Sequence, residues 1–359
     1  MKRFSGYLGA ALAVLFMAIS VLPASAATPQ SSTGTSAGLS ITPRKNYTIN
    51  PGETVTDKLV IGNLDHVDDL HLTLRMIDFT YTNQSGTPKL NLAQNAERTP
   101  WSLRSFTNLP KAVDIAAGET KTINYTITIP KDQGAGSYYS AILYQAGGAS
   151  GGNVALNASG VTLAFVSVPG KVNENMALQK FGAYNSEDNG NTGSYVYIDV
   201  QEQPKMVAFT LKNSGNVFES PAGQIQVKDL FGHQVANIKV NNNQSLALLG
   251  QARLFTSCIK TVQQTVKALG GASKDVTCVN PKLRPGLYTA NLDVFYGQNG
   301  NQTHEITATA HFWYLPFWFL LLVAIIIALI TYGVFWAKKR IKAAVKGTTY
   351  KQGKGVRRR

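Results

Sequence analysis

The sequence has few of the side chains that most enzyme active sites use. It contains two cysteines and five histidines, and neither a His-Glu-x-x-His motif nor a Cys/His spacing suited to zinc occurs. Residues 148–152 match the Gly-x-Ser-x-Gly pattern of a hydrolase nucleophile. No helix is predicted after them, so the strained turn that this pattern requires is missing and a hairpin tip is expected. We therefore expect neither an enzyme nor a bound cofactor.

Acidic residues are absent from one end of the chain. No Asp or Glu occurs from 313 to 359, whereas ten of the 34 lysines and arginines lie beyond residue 337. Two more lie before residue 27, which leaves 22 basic residues against all 20 acids in between. Because the overall charge of +14 comes mainly from the two ends, it does not indicate a nucleic-acid partner.

The N-terminal segment has the features of a signal peptide. Residues 1–26 combine two early basic residues with an apolar run and the small residues Ala24-Ser25-Ala26, as a signal peptidase requires. A retained anchor is the alternative, but the apolar run is short for a spanning helix. Residues 27–38, small and polar, are expected to form a flexible linker.

A longer apolar segment lies near the other end. Residues 315–337 carry no charge and would extend about 34 Å as a helix at roughly 1.5 Å per residue, enough to cross a bilayer. Aromatic residues, expected at the headgroup level, crowd its start: Phe312, Trp313, Tyr314, Phe317 and Trp318. The basic residues 338–359 predict a cytoplasmic tail. These features predict a single-pass protein of the cell membrane, with the lipid bilayer as a partner and the N-terminal part outside the cell.

The segment between these ends shows the alternation of half-buried β-strands. In residues 120–130, for example, Ile123, Tyr125, Ile127 and Ile129 would share one face. Turn residues such as Pro51-Gly52 and Pro285-Gly286 separate the runs. This pattern predicts an all-β ectodomain made of antiparallel β-sandwiches.

Two pairs of similar phrases predict two related sandwiches. Residues 60–74 resemble 210–227, and 134–148 resemble 284–300; convergent strand patterning is the alternative. The resulting division is a first sandwich at 39–170, a connecting segment at 171–203 and a second sandwich at 204–311.

The two cysteines lie in the second predicted sandwich. Outside the cell, Cys258 and Cys278 are expected to form a disulfide. The segment 258–278 between them is predicted to be a helical insertion, because four apolar residues recur at helical spacing. These are Ile259, Val262, Val266 and Leu269.

Two groups of residues are candidates for ligand contact. One is an acidic segment whose oxygen ligands could hold calcium, although a solvated turn is the simpler interpretation because the order of a known calcium loop is missing. Its members are Asp65, His66, Asp68, Asp69 and His71. The other group is Tyr138, Tyr139 and Tyr144, whose rings could stack on sugars, although strand alternation would bury at least one of them.

Several stretches resemble the bacterial WxL-interacting proteins. The first predicted sandwich carries LSITPRKNYTINPGETVTDKLVIGN, RMIDFTYTNQSG and ETKTINYTITIPKDQGAGSYYSAILYQ. The second carries LKNSGN, PAGQIQVKDLFG and LRPGLYTANLDVFYG. The resemblance implies two immunoglobulin-like extracellular domains with a C-terminal membrane anchor, the first binding peptidoglycan or WxL-bearing surface proteins and the second contacting host surfaces.

The expected function is therefore binding or scaffolding at a bacterial cell surface, with envelope proteins or cell-wall polymer as partners. A carbohydrate-binding surface adhesin is the alternative. An enzyme ranks last because no catalytic constellation is present.

Overall fold

The computed structural model describes residues 38–82, 86–93, 95–146, 159–186, 193–268, 271–297 and 303–352. The expected signal peptide, nearly all of the linker, the Gly-x-Ser-x-Gly segment and the last seven residues of the basic tail lie outside these residues. The described chain consists mostly of β-strands and ends in one helix. The predicted fold class is confirmed: immunoglobulin-like β-sandwiches followed by an apolar C-terminal helix.

The first sandwich packs a four-stranded sheet, β1-β3-β9-β7, on a five-stranded sheet, β2-β11-β10-β4-β8. Neighbouring strands are antiparallel except β2, which runs parallel to β11. A separate ribbon pairs β5 with β6. The strands are Leu39–Ile41 (β1), Arg44–Thr48 (β2), Thr54–Asn63 (β3), Leu70–Ile77 (β4), Phe79–Tyr81 (β5), Pro88–Leu90 (β6), Thr107–Asn108 (β7), Ala112–Ile115 (β8), Thr120–Thr128 (β9), Gly136–Ala146 (β10) and Ser159–Val168 (β11).

The second sandwich repeats this plan. A four-stranded sheet, β13-β12-β15-β18, faces a five-stranded sheet, β14-β22-β21-β16-β17, in which β14 runs parallel to β22. A ribbon again stands apart, formed by β19 and β20. The strands are Met176–Ser186 (β12), Gly193–Val196 (β13), Ile198–Asp199 (β14), Met206–Asn213 (β15), Ala222–Asp229 (β16), Gln234–Val240 (β17), Ala252–Cys258 (β18), Thr261–Ala268 (β19), Gly271–Cys278 (β20), Gly286–Tyr296 (β21) and His304–Tyr314 (β22).

The segment 171–203 is not the connecting segment that we expected. It contains β12, β13 and β14, all of which pair within the sheets of the second sandwich. A β-bulge shifts the register of β12 between Leu178 and Lys180, so its alternation of buried and exposed residues changes phase in mid-strand. A two-residue period therefore does not identify this strand, and the second sandwich begins before residue 204.

The predicted helical insertion at 258–278 is also wrong, because this segment is a β-hairpin. β19 and β20 pair antiparallel from Thr261↔Cys278 to Ala268↔Gly271. Threonine and valine make up most of the residues from 261 to 266, and β-branched side chains favour extended backbone over helix. Composition, rather than the apparent helical spacing, indicates the observed structure.

The repetition extends to matching hydrogen bonds in the two sandwiches. Gly136 and Gly286 open β10 and β21 with φ values of 150° and 155°, a region that favours glycine. Two residues later, the hydroxyls of Tyr138 and Tyr288 donate to the carbonyls four residues upstream, at 2.8 and 2.7 Å. This is the tyrosine corner of immunoglobulin-like folds, which ties the loop before a strand to that strand.

A buried asparagine ends the equivalent strands β3 and β15. The Nδ2 group of Asn63 donates to the Asp68 carbonyl at 2.8 Å, and that of Asn213 donates to the Val217 carbonyl at 2.7 Å. Each Oδ1 atom accepts from the backbone N–H two residues later. Each side chain thus satisfies backbone groups of the turn after its strand, which would otherwise be buried without partners.

The helix α1, Phe317–Gln352, follows β22 almost directly. Residues Phe317–Ala343 are long and apolar enough to cross a membrane. Pro316 precedes the first turn, and its carbonyl accepts from the N–H groups of Phe319 and Leu320. Of the aromatic residues expected at a membrane surface, Phe312 and Tyr314 are instead buried in the second sandwich.

The two tyrosine corners generate a matched prediction. We expect Tyr138→Phe and Tyr288→Phe each to lower the free energy of unfolding by about 1 kcal/mol, the usual net contribution of one hydrogen bond. Chemical denaturation of the full chain in detergent would measure it. Tyr197→Phe is the control, because Tyr197 is exposed. Unchanged stability in both corner variants would show that these hydrogen bonds do not hold the loops.

Candidate functional site

The two sandwiches share an apolar contact region, which we call the junction core. Leu246 and Leu248, in the loop between β17 and β18, pack on the five-stranded sheet of the first sandwich. Phe218, after β15, places its ring 5.5 Å from that of Phe165. The buried residues of the first sandwich in this core are Ile77, Phe79, Tyr139, Ala141, Leu143 and Phe165. Their sheet is therefore covered on both faces.

Hydrogen bonds between the sandwiches surround the junction core. The N–H of Ser137 donates to the Asn216 carbonyl at 3.0 Å, and the hydroxyl of Ser137 accepts from the Phe218 N–H at 3.0 Å. Further away, the Tyr81 N–H donates to Gln251 Oε1 at 3.1 Å. Directional bonds together with apolar packing fix one sandwich against the other, so that the two act as a single unit.

A polar groove of about 550 Å³ lies on the outer face of the five-stranded sheet of the second sandwich. Cross-strand pairing aligns Thr307, Asp293 and Gln224 on β22, β21 and β16. The polar residues that line the groove are Gln224, Gln226, Asn291, Asp293, Glu305, Thr307 and Thr309. Carboxamide, carboxylate and hydroxyl groups therefore lie side by side on adjacent strands, separated by the distance between neighbouring strands.

Asp293 is the most unusual member of the polar groove. Its Oδ1 atom is buried and accepts no hydrogen bond within the described part of the chain. Buried polar atoms normally have a partner, because losing hydration without a replacement costs about 1–3 kcal/mol. Gly223 pairs with Val294 on the neighbouring strand, and a Cβ atom there would meet the Asp293 carbonyl at 2.1 Å, so the close backbone approach at this point requires glycine. A ligand that donates a hydrogen bond would supply the missing partner.

The three tyrosines proposed to stack on sugars are all buried, which corrects that expectation. Tyr138 forms the first tyrosine corner, and the Tyr144 hydroxyl lies 3.0 Å from Thr162 Oγ1. Tyr139 is in the junction core, stacked on Trp101 with ring centroids 5.7 Å apart. Strand alternation predicted that at least one of these rings is buried, and all three are because β10 is covered on both faces.

The acidic segment after β3 forms a turn. Asp65 Oδ1 accepts from the N–H groups of Val67 and Asp68 at 2.9 and 3.3 Å, and Asp69 Oδ1 accepts from the Ala117 N–H at 3.0 Å. His71 faces Asp114 on the neighbouring strand at 2.8 Å. Over the ranges that the structure describes, no group of three His, Cys, Asp or Glu residues is placed to hold a metal ion.

Cys258 and Cys278 form the expected disulfide. The bridge closes the base of the β19–β20 hairpin, where Thr261 pairs with Cys278. In the chain-entropy model, closing a loop of this size contributes about 3 kcal/mol. The disulfide is therefore a structural link between the hairpin and the edge strand β18.

The polar groove was not identified from the sequence. Its residues come from three strands, and the pairing register that aligns them is not visible in any single segment. A local signal does exist in β21, where Thr289, Asn291 and Asp293 alternate with apolar residues. Such alternation indicates a solvent-facing polar row, but not whether its members have partners.

Comparisons with known proteins give only distant structural similarity. No known protein family and no curated protein matches the sequence. Among solved structures, the class 5 fimbrial chaperone CfaA has 10% identity and a TM-score of 0.33 over 76% of this chain and 98% of its own. The Escherichia coli chaperone DraB has 9% identity and a TM-score of 0.30 over 76% and 98%. The periplasmic chaperone SfaE has 9% identity and a TM-score of 0.29 over 75% and 98%.

Similarity at this level carries no information about partners. It is in keeping with the immunoglobulin-like architecture that the strand pairing establishes. The two sandwiches and the apolar helix agree with the architecture that the resemblance to WxL-interacting proteins implies. Membership of that family remains a proposal.

A buried carboxyl group lies close to the junction core. Glu219 pairs with Ala247 through backbone hydrogen bonds in both directions, at 3.1 and 2.8 Å, and Ala247 separates Leu246 from Leu248. Its Oε2 atom accepts from the Gly297 N–H at 3.2 Å, whereas no described residue donates to its Oε1. Burial, with a further effect of Glu174, raises the pKa of Glu219 to about 7.

This raised pKa makes stability depend on pH. The folded chain keeps the Glu219 proton up to about pH 7, whereas an unfolded chain loses it near pH 4.3. Stability from this group is therefore fully present below pH 4.3 and is lost as the pH rises through 7. We expect Glu219→Gln to raise the melting temperature by a few degrees at pH 8 and to leave it unchanged at pH 4.

Thermal unfolding of the full chain at the two pH values would measure this difference. Glu119→Gln is the control, because it makes the same substitution at an exposed glutamate. A Glu219→Gln variant that is less stable than the parent at pH 8 would contradict the interpretation.

Proposed function

We propose that this chain is a membrane-anchored bacterial surface protein that binds cell-wall polymer or envelope proteins through its sandwiches, as WxL-interacting proteins do. The observation that carries the proposal is the polar groove, in which Asp293 Oδ1 has no partner among the described residues, on a unit that continues into an apolar helix. The helix anchors the unit, and the groove is one binding surface.

The chemistry of the polar groove fits a glycan better than an apolar ligand. Sugar hydroxyls and acetamido groups both donate and accept hydrogen bonds, and the groove offers both functions. An ionised Asp293 carboxylate can accept hydrogen bonds but cannot donate them, whereas the carboxamides of Gln224, Gln226 and Asn291 can do both. A hydroxyl donating to Asp293 Oδ1 would remove the cost of an unpaired buried acceptor. Cell-wall polymer carries such groups at regular spacing.

The position of the polar groove also fits a surface role. Thr307 lies six residues before Trp313 on β22, which corresponds to about 20 Å at roughly 3.3 Å per residue. The groove would therefore stand clear of lipid headgroups if the helix crosses the membrane. In the proposed topology the sandwiches are extracytoplasmic and the basic residues after 337 are cytoplasmic.

The proposed role is binding rather than catalysis. In the groove, the carboxylates of Asp293 and Glu305 are accompanied by amides and hydroxyls, without a histidine, cysteine or lysine among the lining residues. Such a set can orient a ligand through hydrogen bonds. It offers no histidine or lysine that could activate a hydroxyl nucleophile.

A carbohydrate-binding adhesin is the second candidate, and the same groove favours it. The two candidates differ in the source of the glycan, which is the cell's own wall in one case and another surface in the other. Binding assays with purified peptidoglycan and with a glycan array therefore discriminate between them.

We expect Asp293→Ala to weaken the binding of the full chain to peptidoglycan at least tenfold. The substitution removes the acceptor that the glycan would satisfy, and a tenfold loss corresponds to about 1.4 kcal/mol. Because Oδ1 of the wild-type carboxylate is buried and accepts no hydrogen bond from a described residue, the variant should be at least as stable as the parent. Sedimentation with purified sacculi would measure binding, and thermal unfolding would check the fold.

Asp114→Ala is the matched control, since Asp114 is an exposed carboxylate on β8 of the first sandwich. A selective loss on the glycan array would indicate the adhesin. Capture of an envelope protein that survives Asp293→Ala would assign protein binding to another surface. If the chain bound peptidoglycan, glycans and envelope proteins no better than a control protein, the proposed function would be wrong.

A further inference from the structure

The outer face of the five-stranded sheet in the second sandwich changes character along its strands. Near the polar groove, residues aligned across the sheet are polar, as in the row of Thr309, Asn291 and Gln226. Toward the helix, one row is apolar throughout. Ile198 pairs with Trp313 and Trp313 with Leu287, and Leu230 lies in the turn directly after Asp229, the last residue of β16 that pairs with β21. We call Ile198, Trp313, Leu287 and Leu230 the apolar row.

The turn between β16 and β17 extends the apolar row beyond the sheet. Leu230 and Phe231 at its tip are 62% and 80% exposed. The turn is held in place, because Asp229 Oδ1 accepts from the N–H groups of Phe231 and His233, both at 2.9 Å. Gly232 completes it with a φ of 83°. The backbone that carries the two exposed apolar residues is therefore held in a defined conformation.

The apolar row lies at the level where the helix begins. Asp229 pairs with Tyr288, and Tyr288 pairs with Phe312, so residues 230 and 231 extend past the row of Phe312 toward the end of β22. Phe317, the first residue of α1, follows three residues after the end of that strand. The N–H of Leu315 donates to the Asp199 carbonyl at 2.8 Å, which ties this connection to the sandwich.

We propose that this end of the second sandwich is embedded in the headgroup layer of the membrane, with Leu230 and Phe231 as a second anchor beside the helix. The inference rests on the proposed membrane anchoring. Aromatic and aliphatic side chains at the end of a folded domain partition into the interfacial layer, where their apolar area leaves water. Isolated exposed apolar residues are common, but a set that covers three adjacent strands and the neighbouring turn is not.

The continuity of the set with the helix identifies lipid as its occupant. The first polar row, Thr289 and His311, lies about two residues further from the helix than the apolar row. If α1 spans the bilayer, the sheet surface therefore changes from apolar to polar along the membrane normal. A surface that binds a protein would not need to change from apolar to polar along this direction.

A fluorophore attached at the tip tests the inference. The chain has no free cysteine, so Phe231→Cys can be labelled selectively in the full chain within phosphatidylcholine nanodiscs that contain a nitroxide-labelled lipid. Val67→Cys is the matched control, since Val67 is an exposed apolar residue in a turn of the first sandwich. We expect several-fold stronger quenching at position 231 than at position 67.

A second pair of variants tests the role of the side chains themselves. With the label at Gln234→Cys, we expect Leu230→Ser with Phe231→Ser to reduce lipid quenching several-fold. Leu64→Ser with Val67→Ser should leave it unchanged. Equal quenching at positions 231 and 67, with the chain still incorporated in the nanodiscs, would overturn this inference alone. Failure of the chain to incorporate would overturn the membrane anchor and this inference together.

Discussion

Burial of Leu246 and Leu248 against the first sandwich is the interaction on which the arrangement of the molecule depends. Each contributes roughly 1.5–3 kcal/mol when fully removed from water, and both are buried in a cluster with residues of the first sandwich. The loop that carries them is fixed on one side by the Glu219–Ala247 backbone pair and on the other by a hydrogen bond from the Asn213 N–H to the Gln251 carbonyl. As a result, the orientation of one sandwich relative to the other is set by packing rather than by a flexible linker.

The junction core also explains which parts of the first sandwich were difficult to predict. A strand with one exposed face alternates polar and apolar residues, and this is the pattern that correctly identified β9. In β10 nine consecutive residues from Gly136 to Tyr144 are buried, because the second sandwich covers the face that would otherwise be exposed. The run Tyr139-Ser140-Ala141-Ile142-Leu143-Tyr144 indicates a strand buried on both sides. Which surface covers it depends on the partner and is not local information.

Other parts of the fold could be predicted because their signals are local. The repeated phrases correctly indicated two sandwiches, since the Gly-x-Tyr sequence at 136–138 and 286–288 builds the same corner twice. The two wrong predictions of secondary structure, the connecting segment at 171–203 and the helical insertion at 258–278, have different physical origins. In β12 a bulge shifts the alternation between Leu178 and Lys180, and in β19 valines at a spacing of four residues imitated a helical stripe. The polar groove depends on register across strands, which is set by turns and by core packing far from Asp293.

The connection between the last strand and the helix determines how the sandwiches can be used. Only Leu315 and Pro316 separate β22 from α1, and the N–H groups of Leu315 and Phe317 both donate to the β14 segment, at Asp199 and Val200. Asp199 is itself held by the N–H groups of Gln201 and Glu202, each at 3.0 Å. A connection with so few free torsions transmits the tilt of the helix to the sandwich. Together with the junction core, this connection keeps the surfaces of both sandwiches in a defined orientation to the helix. A scaffold that presents bound partners needs such an orientation, which a flexible tether does not provide.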